Sequence, residues 1–130
     1  MILMLFLSST LVLGGDSSSS AAQTQFNVAF KLAESNLDLP GGEKYDEDFG
    51  VSCGPWLAVE LPRCTSECDS SQLRDLTFLF RVGRTGKIEE LLVEPDTKVA
   101  DCLKPVFLKR VYPNPPGKSW WVRMSISISD

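Results

Sequence analysis

The end of the chain alternates apolar and polar residues with the period of a β-strand. From position 120 every second residue is apolar: Trp120, Val122, Met124, Ile126 and Ile128. The residues between them are Trp121, Arg123, Ser125, Ser127 and Ser129. Because alternate side chains of a strand point to opposite faces, the pattern predicts a strand with one face in the core and the other toward solvent or a partner.

Two further strands are predicted upstream. Residues 76–82 alternate in the same way, and the segment from Gly83 to Gly86 supplies glycine for a tight turn. Residues 88–94 form the second strand, but Ile88 and Leu91 cannot share one face of a regular strand. We therefore expect a β-bulge near Glu89 and Glu90.

The N-terminal half contains a predicted amphipathic helix followed by a segment that ends it. Residues 23–37 form an amphipathic helix whose apolar positions recur at helical spacing: Phe26, Ala29, Phe30, Ala33 and Leu37. After a stop at 39–42 we expect an acidic loop over 43–50, a short strand over 56–61 that Pro62 ends, and a loop over 64–71.

A second helix is expected before the terminal strand. Its regular part starts near Asp101, so that Pro105 falls in its first turn, with residues 97–100 as a lead-in. The proline-rich segment from Tyr112 to Gly117 ends it. The predicted fold is α+β: a small antiparallel sheet of three or four strands with a helix on one face, preceded by the N-terminal helix. Trp121 points away from that core, either under the N-terminal helix or as an exposed binding anchor.

The first residues resemble an export signal. Residues 1–14 form an apolar run, and small residues follow at Ala21 and Ala22. The run is shorter than the roughly 20 residues that span a bilayer. We expect a signal peptide over 1–22, with an uncleaved short anchor as the alternative. The remainder divides into residues 23–75, the helix and cysteine-containing region, and residues 76–130, the α+β module.

Four cysteines fall after the signal segment: Cys53, Cys64, Cys68 and Cys102. In a small exported chain an even number indicates disulfides, here two, with three possible pairings. A zinc site needs two close pairs, and only Cys64 and Cys68 are close. We expect one bridge to tie the helix opened by Cys102 to the loop holding Cys64 and Cys68.

Composition and charge limit the function classes. The 130 residues allow one small domain, and a net charge of −4 argues against nucleic-acid binding. Acidic residues concentrate in 34–69 and basic ones in 98–123. Either these halves pack together, or the basic surface binds an acidic partner.

No catalytic, cofactor or metal site is predicted. The chain has no histidine, which removes the commonest activator of serine or cysteine nucleophiles. Glu89 and Glu90 point to opposite faces of a strand. The acidic run at 46–48 lacks the ligand spacing of a calcium loop, and the 83–87 turn lacks that of a phosphate loop. We therefore expect a protein that is not an enzyme and has no small-molecule substrate.

Several motifs from position 76 onward follow the order of a known family. The turn at Gly86–Ile88, the bulged strand, the helix around Val99–Leu103, the breaker Tyr112–Pro113 and the alternating end resemble the C-terminal domain of TonB-type energy transducers over residues 76–129. The chain has neither a long anchor nor a long Pro-rich spacer before the domain, so we expect a stand-alone exported relative.

The resemblance implies a periplasmic protein-binding module. Its final strand is expected to accept an extended partner segment, such as part of an envelope or outer-membrane protein, by strand addition. Carried over by position, the accepting edge is Trp121, Arg123, Ser125 and Ser127. Two copies are also expected to pair weakly along it. The alternatives are a secreted structural or inhibitor protein with no free edge, or an exported enzyme, either acting through the acidic segment 43–50.

Overall fold

The computed structural model describes the backbone of residues 2–128 and the side chains of residues 20–128. Over that range its elements are α1 (Ile2–Leu37), α2 (Gly42–Thr65), a short 3-10 helix (Ser70–Gln72), β1 (Leu76–Gly83), β2 (Ile88–Glu94), α3 (Lys98–Leu108) and β3 (Ser119–Ile126). The predicted α+β class is confirmed. The predicted signal peptide, residues 1–22, lies almost entirely outside the described side chains.

The strands of the described chain form an antiparallel sheet in the order β2-β1-β3. Phe78 of the central strand lies opposite Val93 of β2 and Met124 of β3. The β1–β2 register shifts between Arg81 and Val82, which leaves Glu89 as the extra residue on β2. The predicted bulge is confirmed, and β3 is an outer strand.

The main core lies between one face of the sheet and the helices α2 and α3. Phe49 of α2, Phe80 of β1 and Phe107 of α3 are each 0% exposed. The Phe49 and Phe80 ring centroids are 5.2 Å apart, and those of Phe80 and Phe107 are 4.7 Å apart. The apolar face of β3 enters the same core through Trp120, Val122 and Ile126, as its alternation predicted.

Helix α2 overturns two predictions. The expected acidic loop over 43–50 and the expected strand over 56–61 are both parts of one helix. Its buried or partly buried residues recur every three or four positions: Tyr45, Phe49, Cys53, Trp56, Leu57, Leu61 and Cys64. Gly50, Gly54 and Pro55 have low helix propensity, and all three lie on the exposed side. Burying each large apolar side chain is worth about 1.5–3 kcal/mol, which together outweighs about 1 kcal/mol per glycine and about 3 for the proline.

Helix α1 covers the opposite face of the sheet. Its Phe26, Ala29 and Ala33 are buried against Leu79, and Trp121 packs at the edge of this cluster. Of the two expectations for Trp121, the structure thus shows burial under the N-terminal helix. The sheet has helices on both faces, whereas the sequence predicted one face open.

Helix α3 begins a turn earlier than predicted. Thr97 caps it by accepting a hydrogen bond from the Ala100 N–H at 3.2 Å. Pro105 therefore lies inside the helix and not in its first turn. Losing one helical hydrogen bond at the proline is offset because Ala100 and Leu103 are both 0% exposed.

The β1–β2 turn is fastened to the segment that follows α3. Gly86 has φ 87°, and a Cβ there would lie 2.0 Å from the Tyr112 carbonyl oxygen. The Tyr112 N–H donates to the Gly86 carbonyl at 2.8 Å, and its hydroxyl donates to the Phe107 carbonyl at 2.8 Å. Tyr112 thus caps the end of α3 and fixes the approach to β3.

Candidate functional site

The outer edge of β3 presents main-chain groups that β1 does not use. The Gly83 N–H bonds to the Lys87 carbonyl, so the backbone groups of Gly83 face β2. Because the direction alternates along a strand, those of Val82 face β3, where its partner is Trp120. By the same alternation residues 120, 122, 124 and 126 bond to β1. The N–H and C=O groups of residues 121, 123 and 125 point outward.

The edge of β3 is covered at Trp121. The Asn36 side-chain amide donates to the Trp121 carbonyl at 3.2 Å. The turn from α1 to α2 passes round the edge here, and Gly41, with φ 80°, lies against Pro116. Nothing in the sequence marked Asn36 for this role, since it is a polar residue in the last turn of α1, outside its apolar stripe.

The second part of the edge is open. Arg123, Ser125 and Ser127 are all exposed. Of the four residues predicted for the accepting edge, Arg123 and Ser125 lie on accessible strand and Ser127 directly follows it, whereas Trp121 is partly buried. The open edge, as we use the term below, is residues 123–127.

A first cleft opens beside Arg123 and Ser125. It has a volume of about 220 Å³ and is also lined by Ala33, Glu34, Leu37 and Asp46. The Arg123 guanidinium lies 3.9 Å from a Glu34 carboxylate oxygen and 5.0 Å from the centre of the Phe30 ring. Burial raises the pKa of Asp46 above its ordinary value, and the charge of Arg123 acts in the opposite direction. Two carboxylates thus face one guanidinium.

A second cleft lies further along the same edge. It has a volume of about 350 Å³ and is lined by Ala58, Leu61, Pro62, Thr65, Ser127 and Ile128. Among the described residues, no charged side chain lines it. The Ile128 N–H donates to the Asp75 carboxylate at 2.8 Å, which fixes the chain at this end.

The cysteines form one bridge among the described side chains, not two. Cys64 and Cys102 are joined, with Cα atoms 5.6 Å apart, and the disulfide ties α2 to α3 as predicted. Cys53 and Cys68 are unpaired, so the prediction of a second bridge is wrong. Cys53 precedes Cys64 by roughly 16 Å of helix, whereas a disulfide needs Cα atoms within about 7 Å. The Cys68 sulfur lies at the Cys64 end, 3.4 Å from the Cys64 carbonyl.

Three buried groups that lose a proton at high pH, one thiol and two phenol hydroxyls, are expected to lower the stability of the fold in alkali. Burial raises the pKa of Cys53 to about 11 and raises the pKa of Tyr45 and Tyr112 above the ordinary tyrosine value. Since the folded pKa values exceed the unfolded ones, the stabilisation is complete below about pH 8.5 and is lost as pH rises. Each group contributes a slope of at most about 1.4 kcal/mol per pH unit.

Urea midpoints measured between neutral pH and pH 11 test this expectation. A Cys68→Ala background prevents thiolate exchange with the disulfide. Adding Cys53→Ala should reduce the fall in urea midpoint at the lower end of this pH range. An unchanged fall would show that the Cys53 thiol does not contribute to it.

Among the described residues, the metal-ligating and acidic side chains do not form a further candidate site. Among the described residues no group of three or more His, Cys, Asp or Glu side chains is placed to hold a metal ion. Glu89 and Glu90 instead pair with Arg81, at 2.9 and 3.3 Å. Within the same part of the chain, no helix combines the length and hydropathy needed to cross a membrane.

Comparison with known proteins adds no relative to this description. The chain matches no family model, no curated protein and no solved structure.

Proposed function

We propose that the protein is an exported, non-enzymatic binding module that takes an extended segment of a protein partner along the open edge of β3. The observation that carries the proposal is the outward N–H and C=O groups of Arg123 and Ser125, which lie on exposed strand between two clefts. Strand addition satisfies such groups and reads the partner through side-chain pockets.

The opposite edge of the sheet is protected by charge. The outer strand β2 carries Glu89, Glu90 and Glu94, and its bulge interrupts the regular spacing of its ladder. Charged residues and bulges are the usual means by which natural proteins keep an edge unpaired. At its outward positions 121, 123 and 125, β3 carries one charged residue, Arg123, and no carboxylate, and this contrast supports β3 as the accepting edge.

The expected affinity is modest. Two residues offer four main-chain hydrogen bonds, each worth about 0.5–1.5 kcal/mol net. The sum of about 2–6 kcal/mol is below the roughly 8 kcal/mol of a micromolar complex. The two clefts must therefore contribute side-chain contacts if the complex is to be specific.

The setting of the proposal is the bacterial envelope. The disulfide between Cys64 and Cys102 favours an oxidising compartment, and the resemblance to the TonB C-terminal domain favours an envelope or outer-membrane protein as partner. The rival idea of an acidic binding loop at 43–50 loses its basis, because Tyr45 and Phe49 of that segment are buried in the core.

Proline substitution at Ser125 tests the proposal. The Ser125 N–H points outward, so proline removes a donor from the open edge while the bonds to β1 remain. We expect a partner isolated with the wild-type protein from an envelope extract to bind Ser125→Ala normally and Ser125→Pro at least about tenfold more weakly, about 1.4 kcal/mol.

Two results would count against it. Equal binding by the proline and alanine variants would show that the partner does not use this edge. Sedimentation analysis in which Ser125→Pro only abolishes self-association would identify a second copy as the occupant, and not a separate partner.

A further inference from the structure

The two clefts lie on opposite faces of one strand edge. The first lies beside Arg123 and Ser125, whose side chains point to the α1 side of the sheet. The second includes Ile128, from the apolar face of β3, together with residues of α2. A strand added beside β3 would alternate its own side chains between these same faces. Residues that enter the two clefts must therefore be separated by an odd number of positions.

The distance between the clefts along the edge determines which odd separation fits. Of the C-terminal residues, Arg123 and Ser125 line the first cleft and Ser127 and Ile128 the second, so the two pairs are centred three to four positions apart, or roughly 10–14 Å along an extended chain. A separation of one residue covers only about 3.4 Å and a separation of five about 17 Å. A separation of three, at about 10 Å, is the odd spacing that fits.

The first cleft favours a positive charge. Its Glu34 and Asp46 carboxylates are balanced by Arg123 alone. The surrounding chain reinforces this sign, since residues 34–48 contain six acidic residues and one basic residue, Lys44. That lysine already pairs with Asp48 at 3.1 Å. A lysine or arginine of the partner would thus be attracted from a distance and neutralised in the cleft.

The second cleft favours a compact apolar side chain. Ala58, Leu61, Pro62 and Ile128 supply most of its wall, and Thr65 and Ser127 are its polar members. Burying a valine- or leucine-sized side chain there removes apolar surface from water on both partners, whereas a charged side chain would find no counter-ion.

On α2, two glycines lie between the residues that line the two clefts. Asp46 lines the first cleft and Leu61 the second, so the helical side between them passes through Gly50 and Gly54. A Cβ at either glycine would meet no atom within 4 Å. Both glycines therefore face open space.

We propose that the segment bound by the open edge carries a lysine or arginine three positions from a valine- or leucine-sized residue. The inference rests on the proposed strand addition and specifies the partner's chemistry. It reverses the idea of an acidic partner that the sequence suggested, because at the first cleft the carboxylates of Glu34 and Asp46 outnumber the guanidinium of Arg123, while the basic residues of α3 lie elsewhere.

Labelled peptides test the inference. The probes are short Ser/Thr-rich peptides that carry Lys and Val three positions apart, in both chain directions, with matched peptides in which Glu replaces Lys or the separation is four. Fluorescence anisotropy should show the best Lys peptide binding at least tenfold more tightly than its Glu counterpart, about 1.4 kcal/mol. A peptide with Lys and Val four positions apart should bind severalfold more weakly than the best Lys peptide.

Charge reversal in the protein provides the matched control. Glu34→Lys with Asp46→Lys should invert the preference, whereas Glu43→Lys with Glu47→Lys makes the same change in net charge outside the cleft and should retain it. Gly50→Gln should weaken every peptide without lowering the denaturation midpoint, since glutamine is the better helix former.

The outcomes separate the two proposals. Lys and Glu peptides that bind equally well, and that are both weakened by Ser125→Pro, would overturn the inference and leave the open edge in place. Peptides that all fail to bind would overturn the inference and the proposed strand addition together.

Discussion

Replacing Phe49 with alanine is expected to lower the free energy of unfolding by about 3–5 kcal/mol. The side chain is 0% exposed, stacks on Tyr112 at 4.7 Å between ring centroids, and lies 5.2 Å from Phe80. Its removal leaves a cavity where α2, β1 and the segment after α3 meet. Equilibrium urea unfolding followed by tryptophan fluorescence measures the loss.

Val51→Ala is the matched control for this change. It lies two residues away on the same helix but is 68% exposed, so its effect should stay within about 0.5 kcal/mol. Similar small losses for both variants would contradict burial of this segment and favour a mobile acidic loop over 43–50.

Removing the disulfide is expected to destabilise the protein by roughly 4 kcal/mol in the chain-entropy model. Cys64 and Cys102 are separated by 38 positions, so the unbridged chain gains considerable freedom when it unfolds. The double variant Cys64→Ala, Cys102→Ala and the wild type under reducing conditions should unfold at the same lower urea concentration. Since small domains have only about 5–15 kcal/mol of stability, the unbridged protein should be marginal.

Cys68→Ala controls for the loss of a thiol without loss of the bridge. Its urea midpoint under oxidising conditions should remain close to that of the wild type. A Cys64/Cys102 double variant as stable as the wild type would show that α2 and α3 are held by packing alone.

The elements that the sequence predicted well are those with one apolar and one polar face. β1 and β3 alternate, β2 alternates with one phase slip, and the three strands, the turn and the bulge were predictable from side-chain period, whereas their order in the sheet was not. The helix over 23–37 was predictable from its stripe for the same reason. A bridge from the helix of Cys102 to the segment holding Cys64 and Cys68 was predicted, but the sequence did not decide which of these two cysteines takes part.

Helix α2 could not be found in the same way because its breakers and its buried stripe give opposite signals. Local propensity at Gly50, Gly54 and Pro55 opposes a helix, and only burial of Tyr45, Phe49 and Trp56 against the sheet decides the outcome. That packing depends on tertiary partners more than 25 residues away in the chain, such as Phe80 and Phe107. Missing α2 also hid Asp46 and Leu61, which line the two clefts.

The candidate edge was predicted in part. Alternation identified the outward residues of β3 and left open whether α1 covers Trp121, and it gave no sign that Asn36 bonds the Trp121 carbonyl. Those contacts arise where α1 leaves the sheet, and neither residue carries a local signal for them. The structure therefore shortens the accepting edge to residues 123–127.

Amide hydrogen exchange along β3 is the most direct test of strand addition at the open edge. In the free protein the Arg123 and Ser125 amides should exchange fast, while those of Val122 and Met124, bonded to β1, should be protected. Adding the Lys–Val peptide should slow exchange at 123 and 125 alone. Slow exchange at both positions in the free protein, or no change when the peptide is bound, would contradict an accepting edge.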